Sequence, residues 1–202
     1  MSLEERLAHL PEIKDSLPKK EVAFAFIKPD FLTDLPQIKK ILQEHGLEVV
    51  YTERVRPSPE AVDYMYRDHL KEHFYPAMRN YLINHEVIIL MVSGPGLEAQ
   101  KVLLALKKEG GKDGVIRERL RKKPLISPED RELWQKGEHP RQDEISIIVT
   151  QENVVHTADT AEEALESLRI ILGDKFETMK KKGNLPAELW ELFDEQSKSN
   201  QN

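Results

Sequence analysis

The chain has 202 residues, no cysteine, 39% hydrophobic residues and a formal net charge of -6 at pH 7. That length suits one domain with extensions. The missing thiols exclude disulfides and thiolate metal sites, and the negative balance argues against a protein held to nucleic acid mainly through phosphate contacts. The charged start MSLEERLAHLPEIK has no apolar signal core, and no uninterrupted apolar run reaches membrane-spanning length. The expectation is therefore a cytoplasmic protein with no membrane partner.

Residues 1–20 read as a short amphipathic arm, with Leu3, Leu7 and Leu10 on one side and Pro11 and Pro18 interrupting it. Val22 to Ile27 (VAFAFI) is a compact strand stopped by the turn Lys28-Pro29-Asp30. Leu35 to His45 has the spacing of a helix, with Ile38, Ile41 and Leu42 on its apolar side and Gly46 closing it. Leu47 to Val55 returns as a strand, so this pair suggests a right-handed βαβ-like crossover. Ser58-Pro59-Glu60 opens a helix with a capping serine and a tolerated proline, and a second short helix follows around Phe74–Leu82. Glu86 to Val92 (EVIILMV) is strongly apolar and reads as a central strand. Ser93-Gly94-Pro95-Gly96 then turns the chain into a helix over Leu97–Lys107.

Composition changes from Glu109 to Gln142, where flexible EGGKDG, basic RERLRKK and a helix capped at Ser127 follow one another. Glu144 to Val149 reads as a fourth strand because Ile145, Ile147, Ile148 and Val149 are β-branched, and Gln151–Asn153 reads as the polar turn after it. His156 then falls in a loop just ahead of a helix, Thr160 to Leu172, whose first turn carries Glu162 and Glu163 where they oppose the dipole. Beyond Gly173 one further helix, Pro186–Glu195, carries Leu189, Trp190 and Phe193. The expected organisation is an arm (1–20), a domain (21–172) with a charged insertion (109–142), and a helical tail (173–202). Without the small helices the order is β-α-β-β-α-β, an α+β split antiparallel sheet with helices on one face.

No G-x-x-x-x-G-K-[ST] loop and no H-E-x-x-H occurs, and the remaining histidines are scattered through polar contexts, so no metal cluster is expected. The better constellation is Lys28 at a strand end with His156 before a helix, because neighbouring strands of one sheet can carry both to one end. A neutral imidazole can attack phosphorus and form a phospho-intermediate, and a lysine ammonium can hold phosphate oxygens as a point charge. An ordinary loop histidine and a solvated lysine are the plain alternatives. Arg117, Arg119 and Arg121 form either a phosphate clamp or a solvated face. Tyr66 and Phe74 either line a base or ribose site or belong to the core. Asp30 and Asp159 either brace Lys28 and cap the helix, or help to hold Mg²⁺ on bound phosphates.

AFAFIKPD, the DYMYRDH–FYPAMRNYL segment and NVVHTAD, in this order, resemble the nucleoside diphosphate kinase family across residues 20–172. The resemblance implies a ferredoxin-like sheet, a homo-oligomer, and Mg²⁺-dependent transfer of phosphate from nucleoside triphosphates to nucleoside diphosphates through a phosphohistidine. It makes His156 the nucleophile and Lys28 the phosphate-binding lysine. It also makes Tyr66 the tyrosine near the histidine, Phe74 the platform for the base, and Asn153 the contact to the sugar and phosphate end. Departures accompany it. The family's H-G-S-D is here His156-Thr157-Ala158-Asp159, and its histidine-orienting glutamate falls at Ser167, with Glu163 or Glu166 able to substitute only on a rotated or shifted helix. Its helix arginine aligns with Leu104, and KPDFLTDLP lacks the arginine expected there. Arg117, Arg119 and Arg121 are the candidates to restore the phosphate contacts, with Arg141 near a second family arginine. The resemblance thus points to a kinase of broad base tolerance with no specific nucleic-acid partner. The alternatives are a nucleotide-binding or regulatory module without transfer, and a scaffold that uses the insertion and the Trp190/Phe193 tail.

Overall fold

In the computed structural model, residues 21–94, 99–109, 112–121 and 126–182 are described. Strand β1 (Glu21–Ile27) is apolar from Val22 onward because both of its faces are covered. Val22, Phe24 and Phe26 enter one core, while Ala23, Ala25 and Ile27 enter a second core on the opposite face, as the two-residue period of a strand requires. A 3₁₀ turn over Pro29–Asp34 leads into α1 (Leu35–Glu44), which ends at Gly46 with φ +75. Strand β2 (Glu48–Val55), helix α2 (Pro59–Met65), a 3₁₀ turn over Arg67–His69 and helix α3 (Tyr75–Asn84) follow. Ser58 caps α2 through Ala61 N, as its sequence suggests. Strand β3 (Val87–Gly94) is buried at every residue.

Helix α4 (Ala99–Lys107) leads to a small hairpin, β4 (Lys108–Glu109) with β5 (Lys112–Asp113), and then to α5 (Val115–Leu120), α6 (Pro128–Gln135) and α7 (Gln142–Glu152). Strand β6 (Val155–Thr157), α8 (Ala161–Leu172) and α9 (Asp174–Lys182) complete the described chain. The main sheet has the order β2-β3-β1-β6 with antiparallel neighbours throughout. This is the split arrangement expected of a ferredoxin-like β-α-β-β-α-β chain. Helices cover both sheet faces rather than one: α1 and α4 with the second core, α2, α3 and α8 with the first. Phe176 and Met179 of α9 are buried in that same core, so the packing continues past residue 172.

The fourth strand is not Glu144–Val149. That stretch lies inside α7, and the strand is the shorter β6, so His156 sits within a strand instead of in a loop before a helix. A short apolar run is compatible with either state, and polar residues decide here. Asp143 and Glu144 occupy the first helical turn, where negative charge is favourable. The Ser146 and Thr150 hydroxyls donate back to the carbonyls of Gln142 and Ser146 at 2.7 and 2.8 Å, which satisfies them inside the helix. Helix α7 rests on α3. Gln151–Asn153 is thus the helix end and not a turn after a strand.

The inserted region is docked at several points. Ile116 and Leu120 of α5 enter the second core. An Arg131–Glu152 ion pair joins α6 to α7, and the Gln142 side-chain amide donates to the Trp134 carbonyl at 2.9 Å. Gly114 lets α5 close on α4: a Cβ there would lie 2.4 Å from the carbonyl oxygens of both Ala105 and Leu106. Its amide donates to the Lys107 carbonyl at 3.0 Å, which brings Arg117 beside the end of α4. The arm 1–20 and the tail helix at Pro186–Glu195 lie outside the described residues. Gly114→Ala should lower stability by about 1–3 kcal/mol through overpacking against backbone, read as a lower urea midpoint with an unchanged slope. An unchanged midpoint would mean that the two helices are not apposed at this point.

Candidate active site

Lys28 follows β1 directly, and its amide donates to the Val154 carbonyl at 3.0 Å, tying the strand end to the approach of β6. Its side chain is buried, 3% exposed, with Nζ donating to the Thr150 carbonyl at 3.2 Å and standing 6.0 Å from the Tyr66 ring centroid. β6 pairs with β1 in the register that sets His156 opposite Phe26. The imidazole stacks on Phe26 at 4.9 Å and 25° and meets Tyr66 at 4.6 Å and 40°. Strand pairing therefore brings Lys28 and His156 to one cavity of about 230 Å³, whose lining includes Tyr66, Lys107, Arg117, Asn153 and Asp159.

The cavity sets three cations, Lys28, Lys107 and Arg117, beside the carboxylates Asp68, Asp159 and Glu163. Lys107 ends α4 and Arg117 follows from α5. Among the described residues neither Lys28 nor Lys107 forms an ion pair, and Arg117 pairs only with Asp113, at 3.3 Å, with its Nε buried and unpartnered. Burial, then the neighbouring Arg117 and Lys107, pushes Lys28 down to about 7. Burial in the first place lowers Lys107 to about 8, opposed by the Asp159 carboxylate. Burial also leads the lowering of Arg117, against the pull of Asp113. His156 is held well below the usual imidazole range by burial and then by Lys107, Lys28 and His69. The ring as a whole is half-buried, while its Nε2 is enclosed with no partner among the described residues. The arrangement is a neutral imidazole beside two lysines with no ion-pair partner among the described residues, which suits an anion.

The structure sorts the sequence candidates. Lys28, Tyr66, Asn153, His156 and Arg117 come together. Phe74 lines an adjoining cavity of about 170 Å³ that shares Lys28, Tyr66, His69 and Asn153 with the first. Arg119 does not reach the site: it points from the other side of α5 to Glu44, at 2.7 Å, because residues two apart on a helix face nearly opposite ways. Arg121 holds Asp113 at 2.7 Å and the Glu152 carbonyl at 3.4 Å, so it tethers the insertion rather than lining the cavity. Arg141 is exposed at the start of α7 and pairs with Glu144 at 3.2 Å. Asp30 accepts the Tyr81 hydroxyl proton and is not in the cavity, whereas Asp159 lines it.

In the helix after the histidine, Glu163 lines the cavity with His156 and accepts from the Asp159 amide at 2.9 Å. Glu163 pairs with Arg67 at 3.0 Å and Glu166 with Arg169 at 3.7 Å. Ser167 is buried with its hydroxyl unpartnered among the described residues. Ala158 lends its carbonyl to Gln100 at 2.7 Å, and Gln100 also accepts from Phe24 N at 2.9 Å, stapling β6 to β1. Lys107 was not singled out from sequence. The signal was available in its spacing: it lies three residues past Leu104, one turn along the same helix face. His69 and Trp134 were missed as well.

Residues 21–120 match the family model for nucleoside diphosphate kinase. The chain is a divergent member of the nucleoside diphosphate kinase family. The nucleoside diphosphate kinase of Streptococcus pneumoniae is 28% identical over 102 residues, covering 48% of this chain and 74% of that protein. The nucleoside-diphosphate kinase from Borrelia burgdorferi, solved as a transition state mimic with bound vanadate and ADP, shares the fold with a TM-score of 0.55 and 16% identity, over 75% of this chain and 86% of that one. The family match takes in Lys28, Tyr66, Phe74, Lys107 and Arg117, and stops before His156, which joins them through the β6–β1 pairing.

The two lysines set a pH dependence. Their folded pKa values, about 7 and about 8, lie below the ordinary 10.5. Between these limits the unfolded chain binds more protons, so stability rises with pH. Above pH 10 the buried tyrosines, which hold their protons in the fold, reverse the trend. Tm should climb from pH 7 to 9.5, and climb less in Lys28→Met. A flat profile would mean that both ammonium groups are solvated.

Proposed function

We propose that the chain is a nucleoside diphosphate kinase that carries the terminal phosphate from a nucleoside triphosphate to a nucleoside diphosphate on His156. The observation that supports this most directly is the neutral imidazole set among Lys28, Lys107 and Arg117, with neither lysine paired to a carboxylate among the described residues. Phosphate oxygens would supply the missing counter-charge and raise both lysine pKa values, so binding would take up protons. Because Nε2 is enclosed, the attacking atom in this reading is Nδ1. Its lone pair forms a P–N bond as the P–O bond to the departing diphosphate breaks, and the ring proton stays on Nε2. The cations neutralise charge on the departing oxygen. In the return step a second diphosphate offers its terminal oxygen to phosphorus, the P–N bond breaks, and the neutral imidazole is restored. Such transfer depends on alignment and charge stabilisation more than on covalent chemistry by the protein.

Mg²⁺ fits this site as an ion carried on phosphate oxygens. The described residues hold no group of three ligating side chains, and Mg²⁺ commonly keeps its waters while using one or two carboxylates and substrate phosphates. Asp68 and Asp159, both in the cavity lining, would hold it, and the bound ion would neutralise phosphate charge. The adjoining cavity has an apolar wall of Phe74, Met78 and Val149, which supports broad tolerance of the base. A homo-oligomer belongs to the same reading, supported by β2, a sheet-edge strand half-exposed along most of its length.

A second reading, a nucleotide-binding module without transfer, is favoured by the unpartnered Ser167 hydroxyl and His156 Nε2. Incubation with terminally labelled ATP and Mg²⁺ separates the two. The expected result is acid-labile, alkali-stable label on His156 that any nucleoside diphosphate discharges, with none on a His156→Ala variant that still binds Mg-ADP. A chain that binds Mg-ATP and takes no label would support the second reading and sink the first. Lys107→Met should lower turnover about 100-fold, as loss of one transition-state charge contact does. Equal turnover would remove Lys107 from the phosphate site.

A further inference from the structure

We infer that the insertion supplies half of the nucleobase site, through Trp134. This rests on the nucleotide-binding reading above and deepens it by naming a residue outside the segment matched to the family. The cavity next to the cationic pocket shares Lys28, His69 and Asn153 with it, and its other polar side chains, Ser146 and Thr150, spend their hydroxyls on helix carbonyls. Phe74 at the start of α3 and Trp134 from α6 line this cavity and not the cationic one. A nucleotide with its phosphates at the cations therefore extends its base toward these two rings.

The rings stand 5.5 Å apart between centroids and tilt by 39°. A base sandwiched between them would need about 7 Å, twice a van der Waals spacing of ~3.5 Å. The base consequently lies across a composite surface of both rings and not between them. Trp134 is built to keep its place there. Its indole N–H donates to Ser146 Oγ at 2.9 Å, which leaves the ring with no unmet polar demand. Its carbonyl accepts the Gln142 amide, and the neighbouring Arg131 is anchored on the buried Glu152. His73 packs edge-on to the same indole at 5.6 Å and 72°. A ring already fixed loses little freedom on binding, which favours stacking.

The test uses the full chain carrying Trp190→Phe, which leaves Trp134 as its single tryptophan. Titration with Mg-ADP is expected to quench and shift Trp134 emission, whereas Mg-tripolyphosphate, which has no base, should bind and leave emission unchanged. In the chain with Trp190 intact, Trp134→Ala should weaken ADP about tenfold or more, as loss of a stacked aromatic does. Its tripolyphosphate affinity should stay within about twofold, which also reports that the variant is folded. Trp134→Phe should restore most of the ADP affinity. If ADP binds as in the unaltered chain while Trp134 emission stays constant and Trp134→Ala has no effect, the inference fails and nucleotide binding stands. If neither ADP nor tripolyphosphate binds, the nucleotide reading fails and takes the inference with it.

Discussion

Everything at this site depends on setting two lysine ammonium groups where, among the described residues, no carboxylate pairs with either. Lys28 is buried at the end of a strand whose apolar residues fill cores on both sides of the sheet. Its ammonium has one carbonyl contact and two cationic neighbours. The folded chain bears that cost because the sheet pairing and the α4–α5 contact leave the lysine nowhere else to go. Burial of an unpaired charge is unfavourable until an anion arrives. The same burial keeps His156 neutral, so one physical condition sets a lysine short of an anion and a neutral imidazole in one cavity.

The division of labour follows the topology. β1 and β6 supply the lysine and the histidine, held in register by backbone pairing and by the Gln100 staple. The rim is supplied by less regular parts: Lys107 at a helix end, Arg117 from a six-residue helix, Trp134 from the inserted region. Gly114 connects the two groups, since only a residue without Cβ allows α5 to approach α4 so closely. The stretch matched to the family takes in β1 to β3, Lys28, Tyr66 and Phe74 and, of the rim, Lys107 and Arg117, while β6 and Trp134 lie beyond it.

Legibility in the sequence followed the same split. The VAFAFI and VIILMV runs, the serine and proline helix starts, and Lys28 with His156 could be read directly because each rests on local chemistry. The Ile145–Val149 run could not. Its β-branched composition suggests a strand, and only the back-bonding of Ser146 and Thr150, which depends on the helix already being there, reverses that reading. RERLRKK offered three arginines of equal standing. The register after Gly114 turns Arg117 inward, sends Arg119 to Glu44 and spends Arg121 on Asp113 and Glu152. Lys107 was hidden in a helix-end lysine pair, and Trp134 in a stretch whose role depends on long-range docking.

Proton exchange on binding tests the central claim most directly. Mg-tripolyphosphate is titrated into the chain by calorimetry in buffers of different ionisation enthalpy, at pH 6 and pH 8. If two lysines are kept partly unprotonated for want of an anion, binding at pH 8 takes up protons from the buffer and binding at pH 6 takes up few. Equal proton exchange at both values, or release at pH 8, would mean that the cavity holds its lysines fully charged without a ligand, and the account would be wrong at its root.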